Sequence, residues 1–276
     1  MVELDRLSHH VLVAMARHGR AMLEAEQELA AAGSSVLIAA LDGADAVYEW
    51  QHYPRDDVYD PQSHAQYFYH AHPPSERMGV GRDAREHGHF HTFLRGRGMP
   101  PGVRPLVMPE LAIADNPAAP KAPLMPSAPQ HNEGEDADPW SHLVAIAMDS
   151  GGKPLRFFTT NRWVTGETWY PASDVAAMLD RFTIGAIAPS PPLNRWIAGM
   201  LGLYKPLLAE LIAGRDTKVM DWRRRRRAKV HVLEDRRLEV ISTLEIDLPR
   251  LLDAVEAALS RRESAPFGNG ATPAHP

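Results

Sequence analysis

Between Met99 and Pro139 the chain reads "MPPGVRPLVMPELAIADNPAAPKAPLMPSAPQHNEGEDADP", with ten prolines and no sustained hydrophobic period. Proline fixes its own φ and lacks a backbone N–H, so this stretch can neither ladder as a sheet nor continue as a helix. The ordered fold must therefore be assembled from the residues on either side of it. Residues 142–170 return at once to strand patterning, with "HLVAIAMD", a turn at "SGGKP", then "LRFFTTNRWVTGETWY". That hairpin needs a sheet to join. "HAQYFYHAH" (64–72) and "HGHFHTFL" (87–94), separated by the charged, glycine-containing loop 73–86, supply one as a pair of strands. We therefore read 99–139 as a Pro-rich loop inserted in a single domain spanning 1–262, followed by a disordered tail at 263–276.

The flanking segments are mostly helical. Residues 4–32 keep Leu12, Met15, Ala16, Met22, Leu23 and Leu29 at three-and-four spacing and stop at Gly33, the pattern of a long amphipathic helix. "SSVLIAALDG" (34–43) reads as a short strand. "PASDVAAMLDRF" (171–182) reads as a helix capped by Ser173. "PPLNRWIAGMLGLYKPLLAELIAG" (191–214) gives one or two buried helices interrupted at Gly202 and Pro206. "RAKVHVLED" and "RRLEVISTLEID" (227–247) suggest a second hairpin, and "LPRLLDAVEAALSRR" (248–262) a closing helix. The expected class is α+β: an antiparallel or mixed sheet carrying the His-rich strands, flanked by N-terminal and C-terminal helices.

Composition removes several kinds of chemistry. With no cysteine there is no disulfide, thiolate nucleophile, iron–sulfur cluster or sulfur-ligated zinc, so any metal must be held by nitrogen and oxygen. A net charge of -5 argues against nucleic acid as a partner. The five arginines 223–227 spread around every side of a helix, and the acids that follow can neutralise them. No apolar run of 18 residues suggests a membrane span, and "MVELDRLSHH" lacks the apolar core of a secretory signal. The expectation is a cytoplasmic protein acting on a small molecule, with its oligomeric state open.

Seven of the 14 histidines, His52, His64, His70, His72, His87, His89 and His91, fall within forty residues. Residues two apart on a strand share a face and stand roughly 6.6–6.8 Å apart. Two such imidazoles can converge on one ion, but His87 and His91, roughly 13 Å apart, cannot do so without a bend. The spacing thus predicts a pair, His89 with His91 or His87 with His89, completed by His70 or His72 from the facing strand. Side by side, the two "HxH" elements make a four-imidazole wall for one ion or two. Glu86, His64, His142 and Glu167 are further ligand candidates. Glu86 adjoins His87, so alternation points it to the opposite face.

Nitrogen and carboxylate donors suit zinc, copper, iron(II), manganese or nickel. Two histidines with a carboxylate fit a non-haem iron oxygenase, and three histidines with water fit zinc hydrolysis. A metal-dependent enzyme working through activated water or dioxygen is one reading, and a non-catalytic metal carrier or sensor is another. Tyr69 is placed to line such a site and donate a hydrogen bond. In "FFTTNRWVTGETWY", Arg162, Asn161 and Trp163 could line a substrate anion, with Glu167 as acid, base or ligand.

"HGHFHTF" resembles the histidine-triad signature of nucleotide hydrolases and transferases, although Gly88 and Thr92 depart from its apolar spacers. The resemblance covers seven residues and implies a phosphate-handling enzyme with His89 as nucleophile. "HFH" also resembles the first half of the cupin metal motif, which implies a jelly roll, but no glutamate follows at the expected place.

Overall fold

The computed structural model describes residues 3–41, 43–44, 46–49, 51–72, 84–106, 138–226 and 231–264. Most of the Pro-rich insertion and of the tail, together with residues 227–230 at the start of the expected second hairpin, lie outside the described residues.

Among the described residues, six strands form one antiparallel sheet in sequence order: β1 Tyr53–Tyr59, β2 Ala65–Ala71, β3 Glu86–Arg95, β4 Trp140–Asp149, β5 Pro154–Thr160 and β6 Val240–Glu245. Around it lie α1 His9–Ala31, α2 Val36–Leu41, α3 Arg162–Thr165, α4 Ala172–Met178, α5 Pro191–Arg226 and α6 Leu248–Glu263. The chain is α+β with flanking helices, and its one sheet is a meander where the cupin resemblance implies a jelly roll.

One face of the sheet is apolar, and helices cover it. Tyr67, Tyr69, Phe90, Ile146 and Phe157 join Leu12 and Met15 of α1 and Trp196, Met200 and Leu203 of α5 in one core. Each such side chain contributes about 1.5–3 kcal/mol on burial. Ser8 caps α1 by accepting from Val11 N–H at 3.3 Å, and Asp247 caps α6 by accepting from Arg250 N–H at 3.2 Å. The two long helices approach closely: a Cβ on Gly202 would lie 2.3 Å from the His18 ring, so α5 carries glycine there to seat α1.

Several local expectations are corrected. "VLIAAL" is the helix α2, because a six-residue apolar run fits either period. The strand expected over 155–170 ends at Thr160, where Asn161 caps α3 by accepting from Arg162 N–H. Pro171, not Ser173, stands at the start of α4. Residues 191–226 are one helix that runs on through Pro206. An 18-residue window of α5 has the length and hydropathy of a membrane span, and half of that window is buried inside the fold. In the expected second hairpin, Val232–Glu234 is a single 3₁₀ turn, and β6 pairs with β5.

The β1–β2 turn is tied to the loop before α5 by one carboxylate. Buried Asp60 accepts from Gln62 N–H and Ser63 N–H, both at 2.8 Å, and from Gly185 and Ala186 N–H on its other oxygen. Burial alone would raise its pKa, but the backbone donors of Ser63, Gly185 and Gln62 together hold it below the usual carboxylate value. Asp60→Ala leaves these donors without an acceptor and should cost on the order of 3 kcal/mol in urea unfolding near neutral pH. A depressed carboxylate stabilises above its unfolded pKa, about 3.9, and loses that contribution as pH falls through the folded value. The gap between wild type and Asp60→Ala should therefore narrow below about pH 4.

Candidate metal centre

The opposite face of the sheet carries the histidines. In the β2–β3 register His70 stands directly opposite His89, and Phe68 opposite His91. On the far side of β3, His89 pairs with Ala147 and His91 with Ala145. Alanine there leaves the space above β4 open, so Phe158 of β5 meets the His89 ring edge-on, with centroids 4.9 Å apart.

The resulting wall is dense and buried. His70 Nε2 lies 3.2 Å from His72 Nε2, which lies 3.2 Å from His89 Nδ1. Their ligand atoms all fall within 4.8 Å of one another. Nitrogens bound to one tetrahedral ion at about 2.0–2.1 Å stand about 3.3–3.4 Å apart, so the two 3.2 Å contacts, though not the full 4.8 Å span, are close to the spacing of one shell. The buried His70–His72–His89 cluster could hold a metal ion. The wall continues beyond it, with His89 Nε2 at 2.9 Å from His91 Nε2 and His91 Nδ1 at 3.0 Å from His142 Nε2. Burial is the main force keeping His91 well below the usual histidine pKa and His142 down to about 3; neighbouring imidazoles add to it at His91 and Arg215 at His142. Both rings are neutral at pH 7.

A β-bulge at the start of β3 exchanges two expected roles. The β3–β4 register shifts between Glu86 and Gly88, so Glu86 faces the wall and His87 faces the helices. Glu86 Oε1 is 2.9 Å from His89 Nδ1, and its Oε2 accepts from the Arg156 guanidinium at 3.0 Å. The Tyr69 hydroxyl is 2.7 Å from His87 Nδ1, with their rings stacked on the core side. Glycine at 88 permits this close approach of the strands, since a Cβ there would lie 2.2 Å from His70 O. Three alternate histidines on one face, the basis of the histidine-triad resemblance, do not occur.

The other candidates divide. His142 joins the wall from β4. Glu167 reaches its backbone, where Oε2 accepts from His142 N–H at 2.8 Å. Its Oε1 has no hydrogen-bond partner among the described residues, and burial, partly offset by Arg215, pushes its pKa up to about 8. His64 turns at positive φ to the Tyr59 hydroxyl, 2.6 Å away. Arg162 pairs with Glu234 at 2.7 Å, Asn161 donates to Val232 O and Trp163 to Leu238 O, so these three anchor the 231–238 segment. Sequence reasoning does not single out Arg156, and it counts His52 in the histidine cluster without giving it a role. Arg156 shares strand parity with Phe158, and His52 stacks on Phe68 at 3.6 Å.

Fold and site together define the class: an antiparallel α+β meander with a buried imidazole wall, part of which could hold a metal ion. Over residues 16–246 the chain matches the model of a family described as "Domain of unknown function (DUF6969)". It belongs to that family. No curated protein and no solved structure matches it.

A raised carboxyl pKa gives stability that is complete below the unfolded value, about 4.3, and lost as pH rises through the folded one. For Glu167 that window runs from about pH 4.3 to about 8. Glu167→Gln keeps the acceptor for His142 N–H without the ionisation. Its urea midpoint should gain on wild type between pH 5 and pH 8, the difference in stability growing by about 1.4 kcal/mol for each step of one in pH.

Proposed function

We propose that this chain is a metal-dependent enzyme, with one divalent transition ion held by His70, His72 and His89 and with Glu86 beside it as a fourth ligand. The observation that carries the reading is the pair of 3.2 Å contacts linking His70, His72 and His89, with Glu86 Oε1 2.9 Å from the same His89 nitrogen. Three neutral imidazoles and one carboxylate leave a divalent ion with net positive charge. Such an ion supplies Lewis acidity, lowering the pKa of bound water or, for iron or copper, engaging dioxygen.

The surrounding residues support a retained cofactor more than a released cargo. His70 is 2 %, His72 4 % and His89 6 % exposed, so the donors are fixed by packing before any ion arrives. Arg156 holds the outer oxygen of Glu86 and so aims the inner one at His89. Phe68, Phe93 and Trp140 form a buried apolar cluster on the same face, with the Phe68 ring centroid 5.9 Å from that of His70, which keeps that side of the wall dry.

Metal analysis of untagged protein tests the proposal. About one zinc, iron or copper per chain is expected, falling to background in His72→Ala and His89→Ala. His87→Ala and Tyr69→Phe, which alter the other face, should keep their metal. Stripping the ion with a chelator should lower stability by about 2.7 kcal/mol if the free metal had stood at a hundred times its Kd. Wild-type protein without metal, and unable to take any up, would end this reading. A loaded centre that exchanges its ion freely and never changes spectrum with small anions would make it a carrier instead.

A further inference from the structure

We propose that His91 and His142 are positioning residues for the metal centre: they hold His89 through a hydrogen-bonded row, and all three rings exchange tautomer together when His89 takes the ion. The inference rests on the metal-centre reading above and concerns two histidines outside its ligand set.

A neutral imidazole has one N–H and one bare nitrogen, so a hydrogen-bonded row of them has a direction. His89 Nδ1 faces Glu86 Oε1 at 2.9 Å, and the Glu86 carboxylate is paired with Arg156 through its other oxygen. An ionised carboxylate only accepts, so without metal Nδ1 of His89 carries the proton and Nε2 is bare. That bare Nε2 accepts from His91 Nε2–H at 2.9 Å. His91 Nδ1 is then bare and accepts from His142 Nε2–H at 3.0 Å. His142 Nδ1 in turn accepts from the Thr160 hydroxyl at 3.4 Å. Every donor in the row finds an acceptor, and the row runs from Thr160 towards Glu86.

Ligation reverses it. The His89 atom nearest His72 Nε2 is Nδ1, at 3.2 Å, and a ligating nitrogen cannot keep its proton. Neutral His89 then carries its proton on Nε2 and donates to His91 Nε2. His91 donates from Nδ1 to His142 Nε2, and His142 from Nδ1 to the Thr160 oxygen. Each ring still holds one proton, and the proton lost from His89 Nδ1 is balanced through exchange with water. Both directions use the same three contacts beyond Glu86, His89 with His91, His91 with His142 and His142 with Thr160, so the row holds His89 in either state without moving a heavy atom.

Protein labelled at the histidine ring nitrogens and titrated with Zn²⁺ tests this by NMR, because protonated and bare ring nitrogens have distinct shifts. His142→Gln identifies the His142 signals by their loss. With equimolar zinc, the proton on His142 should pass from Nε2 to Nδ1, and that on His91 likewise. His142→Phe keeps a ring but leaves His91 Nδ1 without its partner, so His91 supports His89 less firmly and zinc binding should weaken about 10–100-fold, the range for loss of the hydrogen bonding behind a metal ligand. In His142→Gln the amide can donate or accept, so most of the affinity should return. Zinc binding with the His142 tautomer unchanged, or undiminished affinity in His142→Phe, overturns the relay and leaves the metal centre standing. Failure of wild type to bind zinc or any other ion removes both. If His142→Phe does not fold, the wild-type spectra decide alone.

Discussion

His70 stands opposite His89 because β2 and β3 pair in one register, and in an antiparallel pair the register decides the face of every side chain on both strands. A slip of one residue would send Tyr67, Tyr69 and Phe90 out of the core and the imidazoles into it. The helix side therefore locks the histidine side. Tyr67 and Phe90 meet edge-on at 6.1 Å under α5, and Phe90 touches Trp196. The wall is thus preformed by apolar packing on the other side of the sheet.

How much of this was legible in the sequence follows from which signals are local. Alternation in "YFYHAH" and "HFHTF" is strong enough to pair β2 with β3 and to place His70, His72, His89 and His91 on one face. The return to strand patterning after the prolines identifies β4 and β5. The helix at 36–41 was hidden because valine, leucine and isoleucine suit either period over six residues. Asn161, Arg162 and Trp163 look like a continuing strand because threonines and aromatics precede them; only the Asn161 cap ends it.

The site itself was half legible. Residue type and parity locate the imidazoles, but Arg156 enters through long-range pairing: β5 must lie two strands from β3 before its guanidinium can reach Glu86. Likewise His142 belongs to the wall only because a second irregularity, between His91 and Phe93, sets it beside His91. Such contacts span 51 to 70 residues of sequence, and no local pattern announces them.

The bulge ahead of Gly88 has a consequence for how this strand stores information. Its ten residues hold two reading frames. Before Gly88 the even-numbered position faces the wall; after it, the odd-numbered positions do. An acid and two imidazoles thereby come within reach of one another from residues 86, 89 and 91, a set of mixed parity that no straight strand could present on one side.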